Sequence, residues 1–309
     1  MGALIEVVLP VFFVLGFGYL AAKRGWISSA SVDGLMVFSQ KFAIPCLLFL
    51  AISQLDLGQS FDLRLLASFY VGAISGFAAG ILGARFLFGR PWEDCIAIGF
   101  CCLFSNSLLL GLPISERAYG EASLAANFTI ISIHSPFCYL IGITAMEMVR
   151  NAGRTRAETA RAVLKAMFSN ALIIGIVLGL AFNLTGLAMP GVLEDALDLM
   201  RRAALPTALF GLGGVLVRYR PEGDLATAGF VVAVSLILHP AVTLGLGQVL
   251  GVPHDTLRNG VVTAAMAPGV NSYLFADMYG KARRVAATGL LLGTALCVVT
   301  AWIWLQLLG

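Results

Sequence analysis

The chain has 309 residues, 59% of them hydrophobic and 12% charged, with a formal net charge of +3. Ordinary soluble domains carry about 25% charged residues, so the composition excludes a water-soluble core of this size and places the chain in a bilayer. The small net charge says little about partners, and nucleic acid is not expected as one.

Met1 to Glu6 has no basic stretch, so no cleaved signal peptide is expected. Ten apolar stretches follow, at 3–22, 32–53, 64–84, 94–115, 123–148, 166–184, 196–217, 226–250, 257–278 and 284–307. Each is near the roughly 20 residues that a helix needs to cross a membrane. The expectation is an all-α membrane protein of ten transmembrane helices. Most connections are short and carry Gly, Pro and charge, as in Gly89–Arg90–Pro91. The longest is basic, with Arg150, Arg154, Arg156, Arg161 and Lys165. It divides the chain into a first five-helix repeat (1–149), a cytoplasmic linker (150–165) and a second repeat (166–309).

Cations set orientation, because cytoplasmic loops collect Lys and Arg. The odd-numbered connections hold fourteen of the twenty, the even-numbered ones five, and Lys41 falls within a span. Both termini are therefore expected outside and the linker inside.

Two stretches break the apolar pattern. Ser105–Asn106–Ser107–Leu108–Leu109–Leu110–Gly111–Leu112–Pro113 lies inside the fourth span, and Met266–Ala267–Pro268–Gly269–Val270–Asn271–Ser272–Tyr273 lies inside the ninth. Proline lacks an N–H and clashes with the carbonyl four residues back, so Pro113 is expected to break the helix near Leu109. Unwound backbone survives at membrane depth only where it lines a protein cavity. Interrupted helices in corresponding positions of two halves point to a transporter binding site. Gly111, Pro113, Pro268 and Gly269 are the expected breaks.

The halves echo each other. Ala43–Ile44–Pro45–Cys46–Leu47–Leu48–Phe49 resembles Ala204–Leu205–Pro206–Thr207–Ala208–Leu209–Phe210, with Lys41 and Arg202 just ahead. Spans three and eight end near Pro91 and Pro253, and spans four and nine close on Tyr119–Gly120 and Tyr279–Gly280. With five spans per half, the second half enters upside down, which makes an inverted repeat.

Asn106 to Ile114 is similar to the Asn–x–x–x–x–Gly–x–Pro motif of the auxin efflux carrier family. Asn271 to Tyr279, with Phe275–Ala276, resembles that family's matching motif in its ninth span. The resemblance implies a scaffold and a transport domain, helices four and nine crossing beside the substrate, and elevator-type movement of a small organic anion. Auxin-like carboxylates and dicarboxylates are the implied substrate class. It also implies a bacterial cytoplasmic-membrane location, contact with membrane lipids, and compatibility with a homodimer through the scaffold helices. The long loop of many plant members is missing, and their acidic–lysine pair is not visible between Phe69 and Gly83.

The physical reading of the breaks runs parallel. A broken helix offers the positive N-terminus of its second half, and two such ends would hold a carboxylate. Ser105, Asn106, Ser107, Asn271 and Ser272 are the expected substrate-binding residues, although both asparagines could instead satisfy carbonyls freed by the prolines. Lys41 either attracts the anion or is a snorkelling or scaffold-paired residue. Pro45 and Pro206 are read as kinks. Glu116 and Asp277 follow the breaks and either couple a proton or cation or sit at helix ends in water. His134 and His239 are expected to patch bends beside Pro136 and Pro240, and the six cysteines to act as small core hydrophobes.

No metal or cofactor is expected. There is no His–Glu–x–x–His, no Gly–x–Ser–x–Gly and no paired intramembrane aspartates, so an enzyme is not expected. Two alternatives stay open: a sodium-coupled carrier of the bile-acid type, and a non-transporting membrane sensor of a small carboxylate.

Overall fold

The computed structural model describes residues 2, 4–56, 58, 61–150, 158, 161, 171–219 and 224–309. Among them the regular structure is helical, with one isolated β-bridge. The helices are α1 (Leu4–Lys23), α2 (Ser29–Ser53), α3 (Leu63–Phe86), α4 (Trp92–Leu103), α5 (residues 107–119) and α6 (Ala125–Arg150). They continue as α7 (Ala171–Thr185), α8 (Gly191–Leu216), α9 (Leu225–Val249), α10 (His254–Ala264), α11 (Val270–Tyr279) and α12 (Arg283–Leu308). Six of these, α1, α2, α3, α6, α9 and α12, are long and apolar enough to cross a membrane. Most of the basic linker lies outside the described residues.

Four π-helical turns among the described residues share one cause. They run Leu4–Val8, Ser39–Ala43, Ser107–Gly111 and Val234–Leu238. Each ends two residues before a proline: Pro10, Pro45, Pro113 and Pro240. Proline removes one rung of the i→i−4 ladder, and widening the turn ahead of it re-seats the carbonyls on i→i−5 partners. Leu112 N–H thus reaches Ser107 O. The helices run on past these prolines. Pro136 and Pro206 sit inside α6 and α8 without such a turn.

The chain folds as two compact units, and neither is a sequence half. One takes Pro10–Ser60 and Leu164–Arg218; the other takes Met1–Leu9, Phe61–Val163 and Tyr219–Gly309. In the first, glycines let helix backbones touch, as small residues do between membrane helices. Gly18 faces the Phe210 carbonyl, Gly213 the Leu15 carbonyl, and Gly175 and Gly179 the backbones of Pro45 and Phe49. Asn183 Nδ2 closes the end of α2 by sharing its two protons among the carbonyls of Ile52, Ser53 and Leu55 at 2.9, 3.0 and 2.8 Å. Arg218 pairs with Asp33 at 2.7 Å.

In the second unit α3 carries Gly72, Gly76, Gly80 and Gly83 on one helical face. Gly72 meets His239 and Thr243 on α9, and Gly83 meets Phe230 there. Gly76 and Gly80 meet Cys102 on α4. Removing side chains from this face draws α4 and α9 onto α3. Asp224 caps α9, accepting from the Thr227 N–H at 3.0 Å and pairing with Arg90 at 2.6 Å. These bonds, the Thr227 hydroxyl first, hold its carboxyl down at about 2.

Candidate functional site

Both interrupted helix pairs lie in the second unit. There α4 ends at Leu103 and α5 starts at Ser107; α10 ends at Ala264 and α11 starts at Val270. Between them, Phe104–Asn106 pairs with Ala267–Gly269. Asn106 N–H donates to Ala267 O at 2.8 Å, and Gly269 N–H donates to Phe104 O at 2.8 Å. Ser105 and Pro268 sit opposite one another between these bonds, antiparallel. That is the non-hydrogen-bonded position of an antiparallel pair, where the missing proline N–H leaves no gap. Asn106, at φ −77° and ψ 57°, is the centre of an inverse γ-turn closed by Ser107 N–H on Ser105 O at 2.8 Å.

The unwinding therefore falls at 104–106, not near Leu109. Gly111 and Pro113 are not in the break: Gly111 ends the π-turn and Pro113 stands in the first α-helical turn after it. The widened turn accommodates Pro113, so proline position alone misplaces the break. Pro268 and Gly269 do lie in theirs.

On one side of the bridge α4 meets α11 through a parallel stack of Phe100 and Phe275, with ring centroids 3.9 Å apart. On the other side α5 meets α10 across Asn127 of α6. His134 of α6 donates its Nε2 proton to Ser105 O at 3.2 Å, since a carbonyl can only accept. His239 Nε2 likewise reaches Phe69 O on α3 at 3.3 Å. Each imidazole bonds a carbonyl outside its own helix, His134 in the unwound segment and His239 on α3. His134 in particular fixes the unwound segment.

The bridge leaves two polar side-chain atoms buried and without a partner, Ser105 Oγ and Asn106 Nδ2. Asn106 is 5% exposed. A buried unsatisfied polar group costs about 1–3 kcal/mol, so two beside each other call for an explanation. Two helices also begin here. The residues capping α5 and α11, Asn106 and Gly269, give them no side-chain cap bond. The first N–H groups of a helix have no acceptor within it and carry a partial positive charge. The Ser107 and Ser272 N–H groups are held by Ser105 O and Gly269 O, so the remaining N–H groups of two starts without a side-chain cap, with the two unpartnered side-chain groups, form a cradle suited to an anion.

Ser107 is buried at the start of α5, and Ser272 is buried one turn into α11 with its hydroxyl on Gly269 O at 2.6 Å. Asn271 is half-buried and accepts a long bond of 3.4 Å from Tyr139 Oη. Lys41 lies in the other unit, exposed on a π-turn, and Pro45 and Pro206 belong to that unit too. Glu116 is half-buried on α5, and Asp277 is exposed and paired with Arg283 at 3.1 Å. Sequence reasoning passed over Tyr139 and Asn127. A polar residue at membrane depth is a sufficient flag, and both carry it.

A family model described as "Membrane transport protein" matches residues 3–305. The chain belongs to this family. Among its relatives, the "Putative malonate transporter" of Rhizobium meliloti (strain 1021) is 24% identical, over 97% of this chain and 94% of that protein. The "Uncharacterized transporter YfdV" of Escherichia coli K12 is 22% identical over 96% and 95%. Auxin efflux carrier component 4 of Arabidopsis thaliana is 28% identical over 44% of this chain and 23% of its own length. The protein is a membrane transporter of the auxin efflux carrier family, as its motifs suggested.

Proposed function

We propose that this transporter is a secondary carrier for a small organic carboxylate, bound at the crossover. One observation carries the reading: two uncapped helix starts meet at the Ser105–Pro268 bridge beside the unpartnered Asn106 Nδ2 and Ser105 Oγ. Such an arrangement binds a carboxylate without a buried cation, because backbone N–H groups and helix dipoles supply the positive potential. The α5 and α11 starts take the anion, Asn106 and Ser105 donate to it, and Asn271 and Ser107 line its edge.

Ten membrane spans in two inverted repeats of five fit the paired features of the second unit. Pro91 and Pro253 precede α4 and α10, both rods unwind midway, and both end on a positive-φ glycine, Gly120 at 81° and Gly280 at 68°. Both termini outside follow from the cation bias. In an elevator cycle the crossover unit carries substrate while the other serves as scaffold, and Glu116 and Asp277 are its candidate coupling groups. Cytoplasmic-membrane placement and a dimer through the scaffold complete the reading.

The test is counterflow in proteoliposomes with labelled acetate, malonate and malate. Saturable exchange of at least one carboxylate supports a carrier. Binding without exchange supports the sensor reading instead.

A further inference from the structure

His134 of α6 is 1% exposed and stands beside the first break. Aromatic rings enclose it. Phe104 lies edge-on at 4.7 Å between centroids, Phe69 of α3 edge-on at 5.6 Å, and Tyr70 of α3 tilted at 6.2 Å. Tyr70 Oη donates to Ile130 O at 3.0 Å, one turn ahead of His134, so α3 also holds the backbone that carries the imidazole. Cys138 Sγ lies 3.7 Å from Nδ1 and 3.9 Å from Nε2. A thiol proton given to Nδ1 leaves the ring proton on Nε2, the nitrogen that faces Ser105 O. The partners of the two nitrogens thus select one tautomer, and the surrounding rings hold its plane.

Ser105 O and Asn106 N–H are the two ends of one planar peptide. His134 Nε2–H and Ser107 N–H hold the oxygen at 3.2 and 2.8 Å, and the proton goes to Ala267 O at 2.8 Å. A hydrogen bond at one end of a peptide polarises the other, so the imidazole strengthens the bridge bond at Asn106. The same plane carries the Asn106 Cα and so sets where that side chain starts. This matters because Asn106 Nδ2 is buried with no bond of its own to aim it. The second break is braced differently: Gly269 O takes the N–H and the hydroxyl of Ser272, within one helix. The first break draws its brace from a neighbouring helix.

We propose that His134 is a positioning residue: through the Ser105–Asn106 peptide, its Nε2 proton aims the Asn106 amide at the substrate. That substrate is the carboxylate of the function proposed above, on which this role rests. A binding constellation needs its groups held to within about 0.5 Å, and locked supporting side chains supply that precision. His134 does not touch the anion; it acts through backbone.

The test compares the full chain in detergent with three variants. The amide nitrogen of His134→Gln reaches the place of Nε2, whereas His134→Asn is too short and His134→Leu has no donor. The first measurement is hydrogen exchange over residues 104–107 and 267–269 without any carboxylate, normalised to thermal stability. Exchange should rise at least tenfold in the Asn and Leu variants and stay within threefold in His134→Gln. The second is calorimetric titration with acetate, malonate and malate. Affinity for the acid that the unaltered chain binds should fall at least tenfold in the Asn and Leu variants and recover to within threefold in His134→Gln. A packing role would need the ring itself, so equal losses in all three variants would overturn the proposal. So would unaltered affinity in His134→Leu. Should the leucine variant not fold, His134→Gln against His134→Asn decides, with equal affinities overturning it. Absence of binding of all three acids to the unaltered chain would overturn the carboxylate reading, and the exchange rates alone would then decide whether His134 holds the peptide.

Discussion

Ser105 and Pro268 face each other across an antiparallel bridge whose two hydrogen bonds are both 2.8 Å long. Two extended strands a few residues long would be an open edge in lipid. Here each satisfies the other, and His134 occupies the remaining side of the Ser105 carbonyl. This pairing holds two helix starts at one point.

The bridge predicts a difference between neighbours. Pro268 sits where no donor is needed, so Pro268→Ala should leave carboxylate affinity within about threefold and lower stability by about 0.4–1 kcal/mol through the freer unfolded chain. Gly269 is another matter: a Cβ there meets the Phe104 ring at 3.1 Å and Asn106 Cα at 3.6 Å. Gly269→Val should weaken binding by more than tenfold. Titration of both variants by calorimetry checks this, and equal affinities would remove the bridge from the site.

Glycine contacts in the first unit predict where stability lies. At Gly213 an added methyl meets only backbone, the Leu15 carbonyl and the Tyr19 nitrogen, so Gly213→Ala should cost about 1–3 kcal/mol or more. At Gly16, also on a helix, nothing lies within 4 Å, and Gly16→Ala should be neutral or stabilising by up to about 1 kcal/mol. In detergent the thermal midpoint should fall for Gly213→Ala and hold or rise for Gly16→Ala.

Asp224 predicts an acid-side loss of stability. Its carboxyl is held at about 2, against 3.8 for the free group, by Thr227 and then Arg90. A depressed folded-state value stabilises the fold above about 3.8, and that contribution disappears as pH falls from 3.8 towards 2. Asp224→Asn should lower the midpoint at pH 6 and flatten its slope in the acid window. Parallel pH–midpoint curves for the two proteins would contradict the assignment.

Topology predicts sidedness. In a background with the six cysteines replaced, Cys at Glu121 or Gly309 should label from outside in intact cells, and Cys at Arg24 only after permeabilisation. Labelling of Glu121→Cys and Gly309→Cys from opposite sides would break the five-plus-five repeat.

Much of this arrangement was legible in the sequence, for a physical reason. Apolar length marks helices that lipid must accept, and α2, α9 and α12 fall within a few residues of the stretches expected for them. Pro268–Gly269 marked the second break because neither residue favours helix. The first break is misplaced because a proline can be absorbed by a π-turn, as at Pro113, while Ser105 and Asn106 unwind for partners 163 and 161 residues away in sequence. Long-range pairing has no local signature. The compact units were also hidden, since each draws on both halves of the chain. Asn127 and Thr263 look like ordinary helix residues until packing brings them together.

The proposed carboxylate site rests on Asn106. A hydrogen bond to a charged group is worth about 1.5–3 kcal/mol, and each 1.4 kcal/mol is tenfold in affinity. The direct measurement is calorimetric binding of whichever carboxylate exchanges in proteoliposomes, to the unaltered chain and to Asn106→Ala, normalised to folded protein. The predicted result is a ten- to hundredfold loss with the thermal midpoint retained, because removing an unpartnered amide removes no bond of the resting protein. Unchanged affinity in Asn106→Ala would contradict the account and move the substrate elsewhere.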